Sequence, residues 1–136
     1  MSDFRPATLV PEDRRQDFLP ELFGLNRLIV AENFLYALMD QLSPLDYGGG
    51  YWAFHELDGK PLFLAPTSKP RFRLRWEGNG YEGEVSAETA GIIATMFALS
   101  HLSIRFGDDR FSEAFLRLYE FAADHPEAGE IFQAID

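Results

Sequence analysis

Three arginines at alternate positions of the segment Arg71–Trp76 have the clearest capacity for chemistry in this chain. The segment reads RFRLRW, and it lies in the interval 60–75, which carries five basic residues and no acidic one. Alternate residues of a strand share one face, and guanidinium groups bind phosphate or carboxylate oxygens through paired hydrogen bonds. The pattern makes Arg71, Arg73 and Arg75 a candidate interaction surface for phosphate or for an acidic partner.

The following strand offers a structural interpretation of the same arginines. Residues 81–85 alternate so that Glu82 and Glu84 share the face of the arginines in an antiparallel hairpin. We expect Arg73 and Arg75 to pair with these glutamates across the strands, each pair contributing roughly 0.2–1 kcal/mol. A proton-donating role for the glutamates is not expected, because facing guanidinium groups favour the ionised carboxylate.

The histidines and glycines lack the spacing of catalytic or metal sites. His55, His101 and His125 are scattered, no HxH or HExxH motif occurs, and the chain has no cysteine, so no metal site is expected. The glycines of 48–50 are not followed by Lys-Ser or Lys-Thr, which argues against a phosphate-binding loop. We therefore expect no catalytic residue, no cofactor and no enzyme activity.

The formal net charge of −10 is spread unevenly along the chain. Residues 1–59 carry a net charge of −6 and residues 76–136 carry −9, on either side of the basic interval. A negative field repels nucleic acid, so direct DNA binding is not expected. Rows of carboxylates could instead imitate the phosphates of DNA. Twelve basic residues are intermixed with the acidic ones, which favours ordinary solvation of the surface.

No part of the sequence is typical of export or membrane insertion. The chain opens without a basic and apolar signal segment, and no apolar run reaches the length of a membrane span. The lack of cysteine also excludes a disulfide framework. We expect a cytoplasmic protein that makes no contact with a membrane.

The fold is predicted to be organised around the segment from Ser86 to Ile104, which reads SAETAGIIATMFALSHLSI. Ser86 is a typical helix N-cap, and Glu88 in the first turn suits the positive end of the helix dipole. Beyond these residues the segment is apolar on every side, which is typical of a helix buried in a core. Ser100 and His101 interrupt the apolar run, so a membrane-spanning role is not expected.

Periodicity and turn residues predict the other elements. Apolar residues at helical spacing predict a helix over Leu25–Leu42, which Ser43 and Pro44 end. The remaining predictions are a short helix over 11–17 that ends at 18–20, strands over 71–77 and 81–85, a helix capped by Asp108 or Asp109, and a last helix that starts at Pro126.

A hairpin is predicted before the basic segment. The Asp-Gly dipeptide at 58–59 is a strong signal for a two-residue turn between strands. With that turn, Phe54 would pair with Phe63. Trp52 would then lie opposite Ala65 on the same face.

Together these elements predict a single α+β domain over residues 1–136, with a loose lead-in over residues 1–10. The strands follow one another with short turns, which is typical of an antiparallel meander. We expect a meander of three to four strands to pack with four to five helices around the central buried helix.

Several long phrases of the sequence resemble one protein family. They are FLP at 18–20, FG at 23–24, YGGGYWAF at 47–54, FLAP at 63–66, YEGEVSAETAGIIATMFALSHL at 81–102 and FAADHPEAGEIFQAID at 121–136. Together they cover nearly the whole chain at similar spacing. The sequence thus resembles the ArdB/KlcA antirestriction family of conjugative plasmids and other mobile elements. The interval 71–75 matches least.

This resemblance implies a small cytoplasmic α+β protein that protects incoming DNA from type I restriction-modification systems. It implies no enzyme, since the family has no established catalytic residues to carry over, and it implies an indirect mechanism. The expected partner is a host protein linked to the restriction machinery, and a monomer is favoured. The candidate interaction residues are the three arginines and, at the acidic chain end, Asp136.

Two alternatives belong to other classes of protein. One is an acidic DNA mimic that binds the restriction enzyme directly, and such binding would weaken steeply with salt. The other is a small-molecule-binding or hydrolytic domain, which would show a pocket with convergent polar groups.

Overall fold

The computed structural model describes residues 4–136, and five helices and two small antiparallel sheets give it the predicted α+β class. In chain order the elements are β1 (Thr8–Leu9), a 3₁₀ turn (Glu12–Arg14), α1 (Arg15–Phe23), α2 (Leu28–Leu42), β2 (Trp52–Leu57), β3 (Lys60–Pro66), β4 (Arg71–Trp76), β5 (Tyr81–Ser86), α3 (Ala87–Phe106), α4 (Asp109–Ala123) and α5 (Ala128–Ile135).

Helix α3 is the centre of the molecule, as predicted. The Ser86 hydroxyl accepts a hydrogen bond from the Thr89 N–H at 3.1 Å, and Gly107 ends the helix in the left-handed conformation at φ 64°. The helix packs against α2, α4, α5 and both sheets. It is the single helix of residues 4–136 that is long and apolar enough by itself to cross a membrane, and most of it is buried inside the protein.

The strands form two sheets instead of the single meander that the sequence predicts. β1, β2 and β3 form one sheet in that order, and β4 pairs with β5 in another. Helix α3 occupies the free edge of β3, because the Thr95 hydroxyl lies 3.4 Å from both the N–H and the carbonyl oxygen of Leu64. Gly91 permits this approach, since a Cβ there would overlap Ala65. The edge that a continuous meander would offer to β4 is therefore covered.

The predicted loose lead-in over residues 1–10 is wrong for its last part. β1 pairs with β2 in antiparallel fashion, and the Val10 N–H donates to the Phe54 carbonyl oxygen at 2.9 Å. Residues 1–3 lie outside the described residues. A strand of two residues is too short to show periodicity in a sequence, and pairing with a distant strand holds it in place.

The β2–β3 hairpin turns where predicted, but its register differs by one residue. The observed pairs include Trp52 with Pro66, Ala53 with Ala65, Phe54 with Leu64 and His55 with Phe63. Neither expected pair, Phe54 with Phe63 or Trp52 with Ala65, is formed. The reason is an irregularity at 55/56, which shifts the register beyond the turn.

Some helix boundaries also differ from the predictions. α1 continues through Pro20, where the sequence predicted an end. Proline costs a helical hydrogen bond, but burial of Phe18 and Leu22 on the same face stabilises the helix against that loss. α2 and α5 begin later than predicted, at Leu28 and Ala128.

Candidate functional site

Arg73, the middle arginine of the predicted surface, is fastened to the loop that follows α2. Its Nε and Nη2 donate to the Asp46 carboxylate at 2.9 and 2.8 Å, and its backbone N–H donates to the same carboxylate at 2.8 Å. The Ser43 hydroxyl donates to the Arg73 carbonyl oxygen at 2.8 Å. The hydrogen bonds from Arg73 hold the pKa of Asp46 well below its usual range. Arg73 thus attaches a loop to the outer edge of β4.

The outer two arginines of β4 make fewer hydrogen bonds to carboxylates than Arg73. The arginines and glutamates share one face, as predicted, but neither expected ion pair forms within residues 4–136. Arg71 pairs with Glu84 at 3.0 Å. Arg75 reaches Glu77 at 4.0 Å, and 58% of the Arg75 side chain is exposed. An arginine side chain is long enough to reach a diagonal neighbour or a loop. The strand register alone therefore does not indicate the partners of these arginines.

Asp136 lies exposed at the end of the chain, near the same hairpin. The Asn79 amide in the β4–β5 turn donates to the Ala134 carbonyl oxygen at 2.7 Å, which holds the end of α5 beside that turn. Arg75 belongs to the same end of β4. The three arginines lie along one face of β4, whereas Asp136 lies near the turn at the Arg75 end of that strand, and Arg73 is already engaged by Asp46.

A second group of polar side chains lies at the start of α3, and sequence reasoning did not find it as a unit. We call it the Glu127 network; its members are Ser86, Glu88, Thr89, His125 and Glu127. The Glu127 carboxylate accepts hydrogen bonds from the Ser86 hydroxyl at 2.5 Å and from the Thr89 hydroxyl at 2.7 Å. The SAET phrase at 86–89 and the HPE phrase at 125–127 thus meet in space.

His125 completes the network with both of its ring nitrogens. Its Nδ1 accepts a hydrogen bond from the Glu127 backbone N–H at 3.0 Å, which places the ring hydrogen on Nε2. Nε2 lies 2.7 Å from Oε2 of Glu88, and His125 is 7% exposed. A general base needs a free nitrogen within reach of the proton it removes. Neither nitrogen of His125 is free, so this pair does not form the catalytic half of a hydrolytic triad.

The pKa shifts of Glu127 and Glu88 match a structural role for the network. Burial raises the pKa of Glu127, but the hydrogen bonds from Ser86 and Thr89 outweigh burial and leave that pKa lowered. The hydrogen bond from His125 lowers the pKa of Glu88. Both carboxylates are therefore ionised at neutral pH, and each is held by side-chain donors from a segment distant in the sequence. The network joins the start of α3 to the connection between α4 and α5.

His55 lies near the network and is neutral. Its ring stacks on Phe63 with centroids 4.5 Å apart. Burial lowers the pKa of His55, against the attraction of the Glu88 charge. Within residues 4–136, no three histidine, aspartate or glutamate side chains are placed to hold a metal ion.

The surface also has a cleft of about 420 Å³ between the N-terminal segment, the β2–β3 turn and α4. Three cations and three carboxylates line it, among them Lys60, Arg117 and Asp124. Arg5 and Asp58 in its wall form an ion pair at 2.8 Å. With charges of both signs so evenly placed, the cleft favours neither an anionic nor a cationic ligand.

Comparison with known proteins identifies the family. Residues 45–136 match the model of a family described as antirestriction protein. The chain belongs to this antirestriction family. It is 40% identical over 134 residues to the antirestriction protein KlcA of Escherichia coli, covering 96% of this chain and 94% of the relative. It is also 34% identical to the putative antirestriction protein YubI of Escherichia coli (strain K12), covering 97% of each chain.

A solved structure from the family shows the same fold. It matches this chain with a TM-score of 0.84 at 38% identity, and the match covers 100% of this chain and 99% of the other. The KlcA and ArdB proteins of that work are described as having a novel fold and antirestriction activity against Type I DNA restriction systems in vivo but not in vitro. The family resemblance of the sequence is confirmed. The phrases that carried it include those that build the Glu127 network.

Proposed function

We propose that this protein protects incoming plasmid or other mobile-element DNA from type I restriction-modification systems. One observation carries the proposal. A solved structure from the study of the KlcA and ArdB proteins matches the whole chain with a TM-score of 0.84 and 38% identity. The match covers 100% of this chain and 99% of the other, so it supports a common role for the fold as a whole. The cytoplasm, where restriction enzymes meet entering DNA, is the proposed place of action.

We further propose that protection is indirect and requires no chemistry by this chain. The activity described for KlcA and ArdB occurs in vivo but not in vitro, which points to a component supplied by the cell. In this chain both nitrogens of His125 are engaged by neighbours, which leaves the Glu127 network without a free imidazole nitrogen to act as a base. A host protein linked to the restriction machinery is the proposed partner.

Direct inhibition by imitation of DNA is less well supported. A mimic needs rows of carboxylates that are free to replace phosphates, and such binding is strongest at low salt. Here Asp46 is paired with Arg73 and Glu56 with Arg14. These ion pairs leave fewer carboxylates free to replace phosphates.

The first experiment is a plating assay with unmodified phage. Phage would be titred on cells that carry a type I restriction system, with and without this protein. We expect a large rise in plating efficiency that is absent from cells lacking the system. The amount of soluble protein in each strain would be measured in parallel. Unchanged plating with abundant soluble protein would contradict the proposed function.

A second experiment separates indirect from direct action. Purified type I enzyme would cleave unmodified DNA with and without purified protein at two salt concentrations. We expect unchanged cleavage. Inhibition that disappears at high salt would instead identify a DNA mimic, because screening weakens contacts between exposed charges.

A further inference from the structure

An exposed apolar surface lies where α2 begins and α3 ends. We call it the α2–α3 corner; its apolar members are Leu25, Ile29, Val30 and Ile104. Their exposed fractions are 81%, 74%, 42% and 83%, respectively. Single exposed apolar side chains need no explanation, but a group of them on one surface marks an interaction site.

Ring contacts place Val30 and Ile104 on one surface. The rings of Phe34 on α2 and His101 on α3 lie 5.3 Å apart, and the Arg27 guanidinium lies 4.0 Å from the Phe106 ring centroid. These contacts align the two helices in antiparallel directions. Val30 precedes Phe34 by one turn, and Ile104 follows His101 by three residues. Val30 and Ile104 therefore lie at the same end of the contact between α2 and α3.

Two cations stand beside this apolar surface. The guanidinium groups of Arg27 and Arg105 lie 4.0 and 4.9 Å from the centroid of the same Phe106 ring. Within residues 4–136 neither arginine forms an ion pair with a carboxylate, and the Arg27 Nε is buried without a hydrogen-bond acceptor. In a chain of net charge −10, two guanidinium groups held on one ring form a local site for carboxylates.

We propose that the α2–α3 corner docks an acidic, amphipathic helical segment of a protein partner. Its apolar side would cover Val30 and Ile104, and its carboxylates would reach Arg27 and Arg105. A second copy of this chain fits less well, because a two-fold contact of the corner with itself would bring like charges together. The inference deepens the proposed function and rests on it for the biological role of the partner.

Binding can be tested without knowing the partner. The probe is a synthetic helical peptide with a leucine stripe flanked by glutamates, and the control peptide carries lysines in place of the glutamates. We expect the acidic peptide to shift amide resonances of the corner in heteronuclear NMR spectra of the intact protein, and the basic peptide to have no effect. Affinity should fall at least about tenfold when Arg27→Gln and Arg105→Gln are combined.

A matched pair of apolar variants tests the rest of the surface. Ile104→Ser should weaken binding of the acidic peptide to a similar degree. The control is Leu116→Ser, at a residue on α4 that is 58% exposed, and it should leave the affinity unchanged. Equal binding of both peptides, or resonance shifts away from the corner, would overturn the proposal. So would sedimentation showing a dimer that Ile104→Ser dissolves, since the corner would then be covered by a second copy.

The plating assay links the corner to function. Ile104→Asp, shown to be folded by its thermal melting curve, should lose most of the protection that the unaltered protein gives, and Leu116→Asp should keep it. Full protection by folded Ile104→Asp would overturn the docking proposal while leaving the proposed function intact. If the unaltered protein gives no protection, the proposed function fails, and peptide binding alone then decides whether the corner is a docking surface.

Discussion

The Glu127 network and the α2–α3 corner differ in where their polar groups find partners. In the network, Glu127 binds two hydroxyl groups of α3 and its cap, and His125 is bound at both ring nitrogens. At the corner, the guanidinium groups of Arg27 and Arg105 both contact the Phe106 ring. Neither forms an ion pair with a carboxylate of the described residues. The network is built from the most distinctive phrases of the sequence, whereas the corner has none. A distinctive motif can therefore record how a fold is held together and not where it acts.

The largest effect should follow from weakening the network. Glu127→Gln removes the negative charge to which both hydroxyl groups donate, and it replaces Oε2, which accepts the Ser86 backbone N–H at 3.3 Å, by an NH₂ group that cannot accept. We expect a loss of about 2 kcal/mol in the free energy of unfolding. Urea denaturation measures this loss. The matched change Glu82→Gln, at an exposed residue of β5, should stay within about 0.5 kcal/mol. Similar losses for both variants would mean that the network has no special structural role.

A pH dependence should come from His55. Burial lowers the pKa of His55 below its ordinary 6.5 in the folded protein, so the unfolded chain takes up the proton first as the pH falls. The stability that neutral His55 contributes is thus complete above pH 6.5 and declines as the pH falls toward the folded-state pKa. Urea denaturation at neutral pH and at about pH 5.5 should show a smaller decline for His55→Gln than for the unaltered protein. Equal declines would contradict this assignment.

The basic strand should divide into one structural and one dispensable arginine. Arg73→Gln removes the two guanidinium hydrogen bonds to Asp46, whose side chain is 10% exposed, and leaves only Lys69 at 3.4 Å as a cation beside that carboxylate. It should therefore lower the melting temperature clearly. Arg75→Gln removes a charge with a single distant contact and should leave the melting temperature unchanged. Differential scanning calorimetry compares the two. An unstable Arg75→Gln beside a stable Arg73→Gln would reverse the roles given to these residues.

The smallest effect on stability is expected at the corner. Ile104 is 83% exposed, so Ile104→Ser gives up little buried surface and should change the free energy of unfolding by no more than about 0.5 kcal/mol. Urea denaturation of Ile104→Ser and of Glu127→Gln compares the two losses in the free energy of unfolding directly. A loss as large as that of the network variant would show that Ile104 serves the fold, and the comparison of the two regions would fail.

Sequence reasoning succeeded where the deciding interactions are local. The cap at Ser86, the apolar run of α3 and the turn at 58–59 depend on neighbours a few residues apart, and each forms as predicted. Family resemblance added the function class. The arginines of β4 and Glu84 were rightly placed on one face, because strand alternation is also local.

The features that were missed depend on residues far apart in the chain. Thr95 covers the edge of β3 through Leu64, 31 residues earlier, and this contact separates the two sheets. Glu127 binds Ser86 across 41 residues, and Arg73 reaches Asp46 across 27. Periodicity cannot report such contacts, since each residue alone is typical of a cap, a turn or a solvated strand.

The proposal that this chain protects DNA by contact and not by chemistry can be tested at His125. His125→Gln keeps an amide near the position of Nε2, where it can still donate to Glu88, but it removes the imidazole. The plating assay would compare this variant with the unaltered protein at a temperature where both are shown to be folded. We expect equal protection of unmodified phage. Loss of protection by a folded His125→Gln would contradict protection by contact alone, because the imidazole would then have a role that its structural contacts do not explain.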